Sequence, residues 1–469
     1  MNLLERLIFQ SPWWRDKGWQ RDDITLKRVK ASGLSFRHLP PDLTRPENLP
    51  PGSISIIRGP RQVGKTTELK LLVSDLISVG VSPQNIAYYP CDDIIHFREL
   101  MDLIQIFART LQGKEKVGYL LLDEITAVKN WHRAVKSAAD SGTLENTYLL
   151  LTGSSAIDIK RGYERMPGRR AKGFDRAFLP LSFSQFCKAL GIDCPSESLS
   201  RILANETAFS RYEMNATLLK PELVDAFDQY IKWGGFPRVV SDLIGEGEVT
   251  VDTLEVYRSV MFSEFEKQRR SVSMFLGLMR KLYDVLGSPV SYNSLTQDTG
   301  LRSNVVVQDY LGIFSGAFLG FMVPCVDLTN RRPFPKREKK FYSIDPVLWK
   351  IVTQGAALRT VSEAALAEQV VAVHLVRPLA DQWAGLGSLE GLYYFRSRKG
   401  KEVDFVFFDS GGTPFGVEVK YQSSVSGWDE QSIAKGIGRG VLVTRDSFKW
   451  NNKVPHIPIW AFLLVEIDI

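Results

Sequence analysis

The chain has 469 residues and a formal net charge of +6 at pH 7; 44% of the residues are hydrophobic and 24% charged, the composition of a soluble globular protein. No apolar run approaches the roughly 18 residues that a membrane span needs, and the N-terminal segment lacks an apolar signal-peptide core. These features disfavour a membrane-spanning or secreted protein and predict a cytoplasmic one, long enough for three or four domains.

The four cysteines contain no CxxC pair, so we expect unpaired thiols in a reducing compartment and no zinc site. The net charge is mild, and it permits nucleic-acid binding without arguing for it. The places where basic residues cluster along the chain therefore matter more than their number.

Residues 1–50 are rich in Trp, Arg and Pro, and the sequence predicts an irregular N-terminal arm. From 51 to 200, short β-rich runs alternate with helical stretches. The runs are typical of buried parallel strands and lie at Ile54–Arg58, Ile86–Pro90, Gly118–Leu122 and Thr147–Leu151. The helical stretches lie at Lys65–Ser78, Phe97–Leu111 and Trp131–Ser141. This alternation predicts an α/β domain with a doubly wound sheet.

A phosphate-binding loop follows the first strand, with the full GxxxxGK[ST] pattern. Its residues are Gly59, Pro60, Arg61, Gln62, Val63, Gly64, Lys65, Thr66 and Thr67. The glycines let backbone N–H groups and a helix N-terminus surround an anion. We expect Lys65 to neutralise the β- and γ-phosphates of ATP and the Thr66 hydroxyl to ligate Mg²⁺.

Two adjacent carboxylates, Asp123 and Glu124, end the third predicted strand. Burying such a pair is unfavourable unless a cation or a proton is present. Asp123 fits the Mg²⁺ shell, and Glu124 fits the base that activates the attacking water. On the next strand, Thr152 and Ser154 are candidates to bond the γ-phosphate or the water, with turn capping as the alternative.

A basic segment, residues 160–176, contains Arg169, which we predict as an arginine finger that acts in its own subunit or on a neighbour. A solvated or DNA-facing loop explains the same charges equally well.

Residues 201–272 are predicted to be mostly helical, with a break at Gly234–Pro237. In 273–347, a turn and helix end at Gly300, and a second helix begins after Ser303. Its apolar positions are Val306, Tyr310 and Ile313, and its exposed face would present Asn304 and Gln308. This helix–turn–helix unit suits a winged helix, with a basic wing at Arg331, Arg332, Lys336, Arg337, Lys339 and Lys340. Docking of a protein partner is the alternative to DNA contact.

The last predicted domain, 348–469, opens with a helix and continues with strand-like runs at Leu392–Ser397, Glu402–Phe408 and Phe415–Lys420. Because residues two apart in a strand share a face, Glu418 and Lys420 point into one site, which Asp404 can join. Glu368 lies on the preceding helix. Carboxylates beside a lysine predict a Mg²⁺ site that activates water against a phosphodiester, with Asp404, Glu418 and Glu368 as ligands. A cross-strand salt bridge is the alternative explanation.

The chain resembles prokaryotic AAA-type P-loop ATPases that carry a C-terminal domain of unknown function. The resemblance rests on GPRQVGKTT, YLLLDEI, LLLTGSSA, the PGRR segment before LPLSFSQF, and YIKWGGFP. It implies an ATPase core (51–200), a helical lid (201–272), a winged helix (273–347) and a nuclease-like end (348–469). Arg238 stands after GGFP where the family pattern suggests an acid. The C-terminal carboxylates and lysine resemble the restriction-endonuclease-like superfamily, which includes Holliday-junction resolvases.

Our main hypothesis from the sequence is an ATP-hydrolysing enzyme that processes duplex or branched DNA, with ATP and Mg²⁺ as cofactors. Assembly with copies of itself is expected, and a hexamer is one candidate form. The alternative is a nucleotide-controlled switch that binds protein partners and keeps an inactive nuclease-like domain. A small-molecule kinase is a weaker third hypothesis, because Asp123 and Glu124 suit activation of water rather than of a hydroxyl acceptor.

Overall fold

The structure is a computed structural model that describes residues 1–34, 36–111, 117–155, 174–297, 299–354, 361–380, 391–398, 400–422 and 427–468. The chain divides into two compact units. Unit 1 contains Met1–Leu179 and Gly316–Phe318, and unit 2 contains Pro180–Ser315 and most of the chain from Leu319 onward.

A parallel sheet organises unit 1, with strand order β2-β3-β4-β1-β5. The strands are β1 Ile54–Arg58, β2 Ile86–Pro90, β3 Gly118–Asp123, β4 Thr147–Gly153 and β5 Asp175–Ala177. The helices are α1 Leu3–Gln10, α2 Ile24–Ser32, α3 Lys65–Ser78, α4 Phe97–Thr110 and α5 Trp131–Asp140. Strands β1, β3 and β4 are buried along their whole length, because two hydrophobic cores cover the sheet. The predicted doubly wound parallel sheet is confirmed.

The N-terminal arm is not irregular, so that prediction is wrong. Asn2 caps helix α1 in a capping box with Glu5, and Leu7 of this helix lies fully buried in the core. The indole N–H groups of Trp13 and Trp14 both donate to the Ile86 carbonyl of β2, at 2.8 and 2.7 Å. The arm is therefore part of the unit 1 core, which its Trp- and Pro-rich composition concealed.

Unit 2 begins with helices, as predicted for its first part. They are α6 Phe183–Ala189, α7 Leu199–Ile202, α8 Glu206–Thr217, α9 Lys220–Trp233, α10 Pro237–Gly245 and α11 Val251–Lys267. The break between α9 and α10 is built on Asp345, which is fully buried. Its carboxylate accepts hydrogen bonds from the Gly235 and Val347 amides, at 2.7 and 3.0 Å. Burial raises the pKa of Asp345 to about 7, although both amides favour the charged form.

Three helices and short strands follow in unit 2. They are α12 Val272–Asp284, α13 Tyr292–Thr296, α14 Asn304–Gly316, β6 Gly320–Pro324, β7 Val326–Asp327, β8 Arg332–Pro333 and β9 Lys339–Ser343. Strand β9 pairs antiparallel with β6, and β7 with β8. Asn304 and Gln308 of α14 are exposed, as predicted. The buried positions of α14 are Val307, Tyr310, Leu311 and Phe314, so the predicted apolar stripe was wrong at Val306 and Ile313, which are only half-buried.

The C-terminal part of unit 2 is a mixed sheet with order β10-β11-β12-β13-β14. Its elements are α15 Val347–Thr353, α16 Glu363–Ala380, β10 Tyr393–Arg396, β11 Glu402–Phe408, β12 Pro414–Lys420, α17 Gly427–Gly436, β13 Gly440–Thr444, β14 His456–Pro458 and α18 Ile459–Phe462. Strands β10 to β12 are antiparallel, and β13 and β14 add in parallel. The sequence indicated the first three strands and missed the last two, which are short and joined by a polar loop. None of the described helices has the length and apolarity that crossing a membrane requires.

We predict that Gly234→Ala destabilises the protein. Gly234 has φ 79° and ψ −161°, a region that only glycine occupies readily, and an added Cβ would lie 1.8 Å from an Asp345 carboxylate oxygen. Backbone strain alone should lower the free energy of unfolding by about 1–3 kcal/mol, and the steric overlap should add to this loss. Urea unfolding measures the change.

The matched control is Gly312→Ala, in the middle of α14, where nothing lies within 4 Å of the added Cβ. Helix propensity predicts that this change stabilises the protein by up to about 1 kcal/mol. Equal stability of the two variants would contradict the role that we give to the Gly234 break.

Candidate functional site

The phosphate-binding loop of unit 1 joins the end of β1 to α3. Gly59 has φ 152°, and a Cβ there would lie 2.0 Å from the Phe178 carbonyl oxygen, so only glycine fits. Gly64 has φ 104° and is the N-cap residue of α3. Lys65 begins the helix and is 5% exposed; its ammonium group donates to the carbonyls of Gly59 and Pro60, at 3.0 and 2.9 Å. The loop holds Lys65 with its charge at the N-terminus of a helix, where phosphate oxygens are favoured.

Asp123, at the end of β3, is the centre of a hydrogen-bond network. Its carboxylate accepts from the hydroxyls of Thr66 at 2.6 Å and Tyr88 at 2.9 Å. Thr152, at the end of the neighbouring β4, donates to the other carboxylate oxygen. The four residues come from four different elements, which meet because the carboxyl ends of parallel strands lie at one edge of the sheet.

Glu124 follows Asp123 in a left-handed conformation, with φ 50° and ψ 46°. Its carboxylate lies 3.4 Å from the Lys65 ammonium and accepts a hydrogen bond from Ser154 at 3.0 Å. Burial alone would raise the pKa of Glu124, but Lys65, Ser154 and Arg61 outweigh burial and lower it. Glu124 is therefore ionised at neutral pH, as a base requires, and its strained backbone is typical of a functional position.

One feature of the unit 1 site did not follow from the sequence. His38, from the segment before β1, donates from Nε2 to the Val63 carbonyl at 2.7 Å and stacks on Phe178 with ring centroids 4.2 Å apart. The His38 amide and the Arg37 guanidinium both bind Glu68 of α3. The N-terminal arm thus supports the outer side of the phosphate-binding loop.

A second cluster of charged groups lies in unit 2, on β11 and β12. Asp404 and Glu418 each lie next to the paired residues Phe405 and Val417 of the two antiparallel strands. The Asp404 amide donates to Glu418 at 3.1 Å, and the Val419 amide donates to Asp404 at 2.9 Å. The Lys420 ammonium lies 2.7 Å from Glu418. The structure thus brings Asp404, Glu418 and Lys420 to one face of the sheet.

Lys340, on β9, joins this cluster to helix α16. Its ammonium lies 2.9 Å from an oxygen of each of the carboxylates Glu368, Glu402 and Asp404. The Tyr342 hydroxyl, two residues along the same strand, also donates to Glu368. Lys340 was predicted for an exposed basic wing, and this is wrong because it is 1% exposed and its charge is paired within unit 2. Arg331, Arg332, Lys336 and Arg337 are exposed, and Lys339 is half-buried.

The buried carboxyl groups of this cluster do not titrate alike. Burial and the Asp404 charge raise the pKa of both Glu368 and Glu418. Burial would also raise the pKa of Asp404, but Lys340 and Lys420 outweigh burial and lower it. Of these three groups, Asp404 therefore keeps its negative charge most firmly.

The donor chemistry of the cluster suits Mg²⁺, which prefers carboxylate oxygens. Among the described residues, however, no group of three or more Asp, Glu, His or Cys side chains is arranged to hold a metal ion. The Lys340 ammonium occupies the space between three of the carboxylates, 2.9 Å from an oxygen of each, where a metal ion would have to lie. The cation at the centre of this cluster is a lysine of the chain itself.

Several residues that contact the candidate site residues were missed by sequence reasoning. Tyr88 is one of them, and Lys340, Tyr342 and Glu402 are the others. The period of two in Lys339–Ser343 places Lys340 and Tyr342 on one strand face and could have indicated the pair. The predicted finger Arg169 lies in 156–173, outside the described residues.

Comparisons with known proteins match the chain in three places. Residues 52–187 match a family model described as an AAA domain. Residues 224–355 and 363–459 match models described as domains of unknown function, DUF8612 and DUF4143. An uncharacterized protein of Methanocaldococcus jannaschii, MJ1544, is 25% identical over 373 residues, which cover 76% of this chain and 73% of that protein.

Among solved structures, a RuvB variant of Thermotoga maritima aligns with 63% of this chain and 87% of its own, at 14% identity and a TM-score of 0.27. That score is too low to support a structural or functional argument. The AAA domain match covers the phosphate-binding loop, the Asp123–Glu124 pair and Thr152, but not His38.

We predict that Tyr88→Phe weakens the use of Mg²⁺ in ATP hydrolysis. The Tyr88 hydroxyl donates a hydrogen bond that orients Asp123. Removing one hydrogen bond to a charged group should weaken the binding of Mg²⁺ by about 1.5–3 kcal/mol. The Mg²⁺ concentration for half-maximal hydrolysis should rise about tenfold or more. The control is Tyr119→Phe, at the opposite end of β3 from Asp123. The same Mg²⁺ dependence in both variants would contradict the role of Tyr88.

Proposed function

Because residues 52–187 form an AAA-type P-loop ATPase domain, we propose that this protein is an ATP-hydrolysing DNA-processing enzyme with a Mg²⁺-dependent nuclease site in its C-terminal domain. One observation carries the nuclease part. Glu368 of helix α16 belongs to one cluster with Asp404, Glu418 and Lys420 of the mixed β-sheet. That arrangement supports a restriction-endonuclease-like fold for residues 348–469.

The unit 1 residues suit hydrolysis of ATP. Lys65 exchanges its bonds to main-chain carbonyls for β- and γ-phosphate oxygens. Thr66 and Asp123 are the residues that would hold Mg²⁺, which when bound neutralises phosphate charge. Glu124, ionised and bonded to Ser154, orients the attacking water and accepts its proton.

The unit 2 residues suit cleavage of a phosphodiester. Asp404, Glu418 and Glu368 would hold Mg²⁺, which when bound polarises the phosphate and acidifies a water. Lys420, fixed at 2.7 Å by Glu418, presents its ammonium at the edge of the cluster, where it orients the water or meets the charge that develops on phosphate.

A nearby part of unit 2 suits DNA. Asn304 and Gln308 lie exposed on α14, and the exposed Arg331, Arg332, Lys336 and Arg337 surround the β7–β8 hairpin. Asp309 would repel phosphate, but it pairs with Arg270. We propose that residues 273–347 are a winged helix that holds the duplex and that residues 201–272 form a helical lid. We also propose that the ATPase works as a homo-oligomer, with Arg169 as its arginine finger.

A second candidate function is a nucleotide-controlled switch that docks protein partners through an inactive nuclease-like domain. The specific observation in its favour is the ion-paired Lys340 at the centre of the carboxylate cluster. A motor should hydrolyse ATP faster with DNA, whereas a switch should hydrolyse slowly, ignore DNA and retain nucleotide through purification.

We predict that Lys65→Ala and Glu124→Gln both reduce ATP hydrolysis by about 100-fold or more, because Lys65 neutralises phosphate charge and Glu124 activates the attacking water. Glu124→Gln should still bind ATP, since its neutral amide leaves Lys65 and Thr66 in place. Phosphate release and equilibrium ATP binding separate the two effects. Hydrolysis at the unmutated rate by Glu124→Gln would show that another group activates the water.

We predict that the purified chain cuts DNA with Mg²⁺, and that Asp404→Asn reduces the rate by about 100-fold or more, because it removes the most acidic buried carboxylate. Linear duplex, forked and four-way junction substrates should be compared in one preparation. The control is Asp409→Asn, beyond the end of β11, where Asp409 pairs with Arg439. Equal cutting by Asp404→Asn and the unmutated protein would mean that the nuclease site is assigned wrongly.

A further inference from the structure

The carboxylate cluster of unit 2 contains four carboxyl groups and only two ammonium groups. Glu368, Glu402, Asp404 and Glu418 face the ammonium groups of Lys340 and Lys420. Three of the four carboxylates share the single Lys340 charge. An environment of this kind favours a cation of higher charge at the position that Lys340 fills.

Lys340 and a divalent cation cannot share that position. Mg²⁺ needs its carboxylate oxygens at about 2.0–2.1 Å, inside the space that an ammonium at 2.9 Å from three of them already occupies. The two cations would also repel each other at a buried site where water screens charge poorly. Binding of one must therefore exclude the other.

Strand β9, which carries Lys340, is paired along both of its edges. Strand β9 pairs with β6 along one edge and bridges Val290 on the other. The four-carbon side chain is flexible, and its ammonium makes each contact as a point charge. Rotation of the side chain is the movement that would take the Lys340 ammonium out of the cluster while the strand stays paired.

We infer that Lys340 is an internal competitor for the metal of the nuclease site, and that the site takes up a divalent cation only when the Lys340 ammonium withdraws. This inference rests on the proposed nuclease function of the same carboxylates. It assigns to Lys340 an autoinhibitory contact, with Glu402 as the carboxylate that helps to hold Lys340 in place.

Mn²⁺ binding to the nucleotide-free full chain tests the inference, measured by calorimetry and by thermal unfolding. Lys340→Met should bind one Mn²⁺ at least about tenfold more tightly than the unmutated protein. Saturating Mn²⁺ should raise its Tm by about 5 °C or more, because a ligand of the folded state alone stabilises it. Adding Asp404→Asn to Lys340→Met should abolish the tighter binding. The control Lys435→Met, which removes an exposed charge on α17, should behave as the unmutated protein.

Removing Lys340 leaves three carboxylates without their shared cation, so a second variant guards against loss of the fold. Lys340→Met with Glu402→Gln removes one charge of each sign and keeps Glu368, Asp404 and Glu418. Tighter Mn²⁺ binding by either variant supports the inference. Equal Mn²⁺ affinity in the unmutated protein and in the folded variants, or no Mn²⁺ binding by any folded variant, overturns it.

DNA cleavage by the same preparations separates this inference from the proposed function. Tight Mn²⁺ binding by Lys340→Met without any DNA cleavage would support competition between Lys340 and the metal, and it would contradict the proposed nuclease activity. Conversely, the unmutated protein could cut DNA and bind Mn²⁺ as tightly as Lys340→Met does. That result would support the nuclease activity and contradict competition between Lys340 and the metal.

Discussion

A buried carboxylate must be matched by donors or cations, and in this protein the matching groups come from elements that are distant in sequence. Asp123 accepts from Thr66, Tyr88 and Thr152, which brings the phosphate-binding loop and three strands to one point. Asp345 is matched by two backbone amides at the break between helices. Much of the tertiary arrangement can be understood as the way in which each unit pairs these charges.

The two clusters solve this requirement differently. In unit 1, Lys65 bonds to carbonyls of its own loop, which are weak partners that a phosphate can replace. In unit 2, Lys340 bonds to three carboxylates at once, which are strong partners in a buried site. The Lys65 ammonium can therefore exchange its partners more readily than the Lys340 ammonium can.

Local patterns were sufficient for much of the fold. Strands β1 and β2 and helix α3 lie at the residues that the sequence predicted. Apolar runs and a glycine-bounded loop are compatible with few other secondary structures. Prediction failed where stability comes from distant contacts. The N-terminal arm is helical because it packs on the β2 edge, and β14, with three residues, exists only because β13 pairs with it.

The sequence by itself determined the phosphate-binding loop, the Asp123–Glu124 pair and the face shared by Glu418 and Lys420, because each depends on spacing within one strand or one turn. Only the tertiary structure decided that Tyr88 serves Asp123, and that Lys340 is a buried counter-ion rather than part of an exposed basic wing. The physical reason is that the environment of a charge depends on which strands and helices meet around it. A lysine in a basic run has the same local sequence whether its ammonium faces water or three carboxylates.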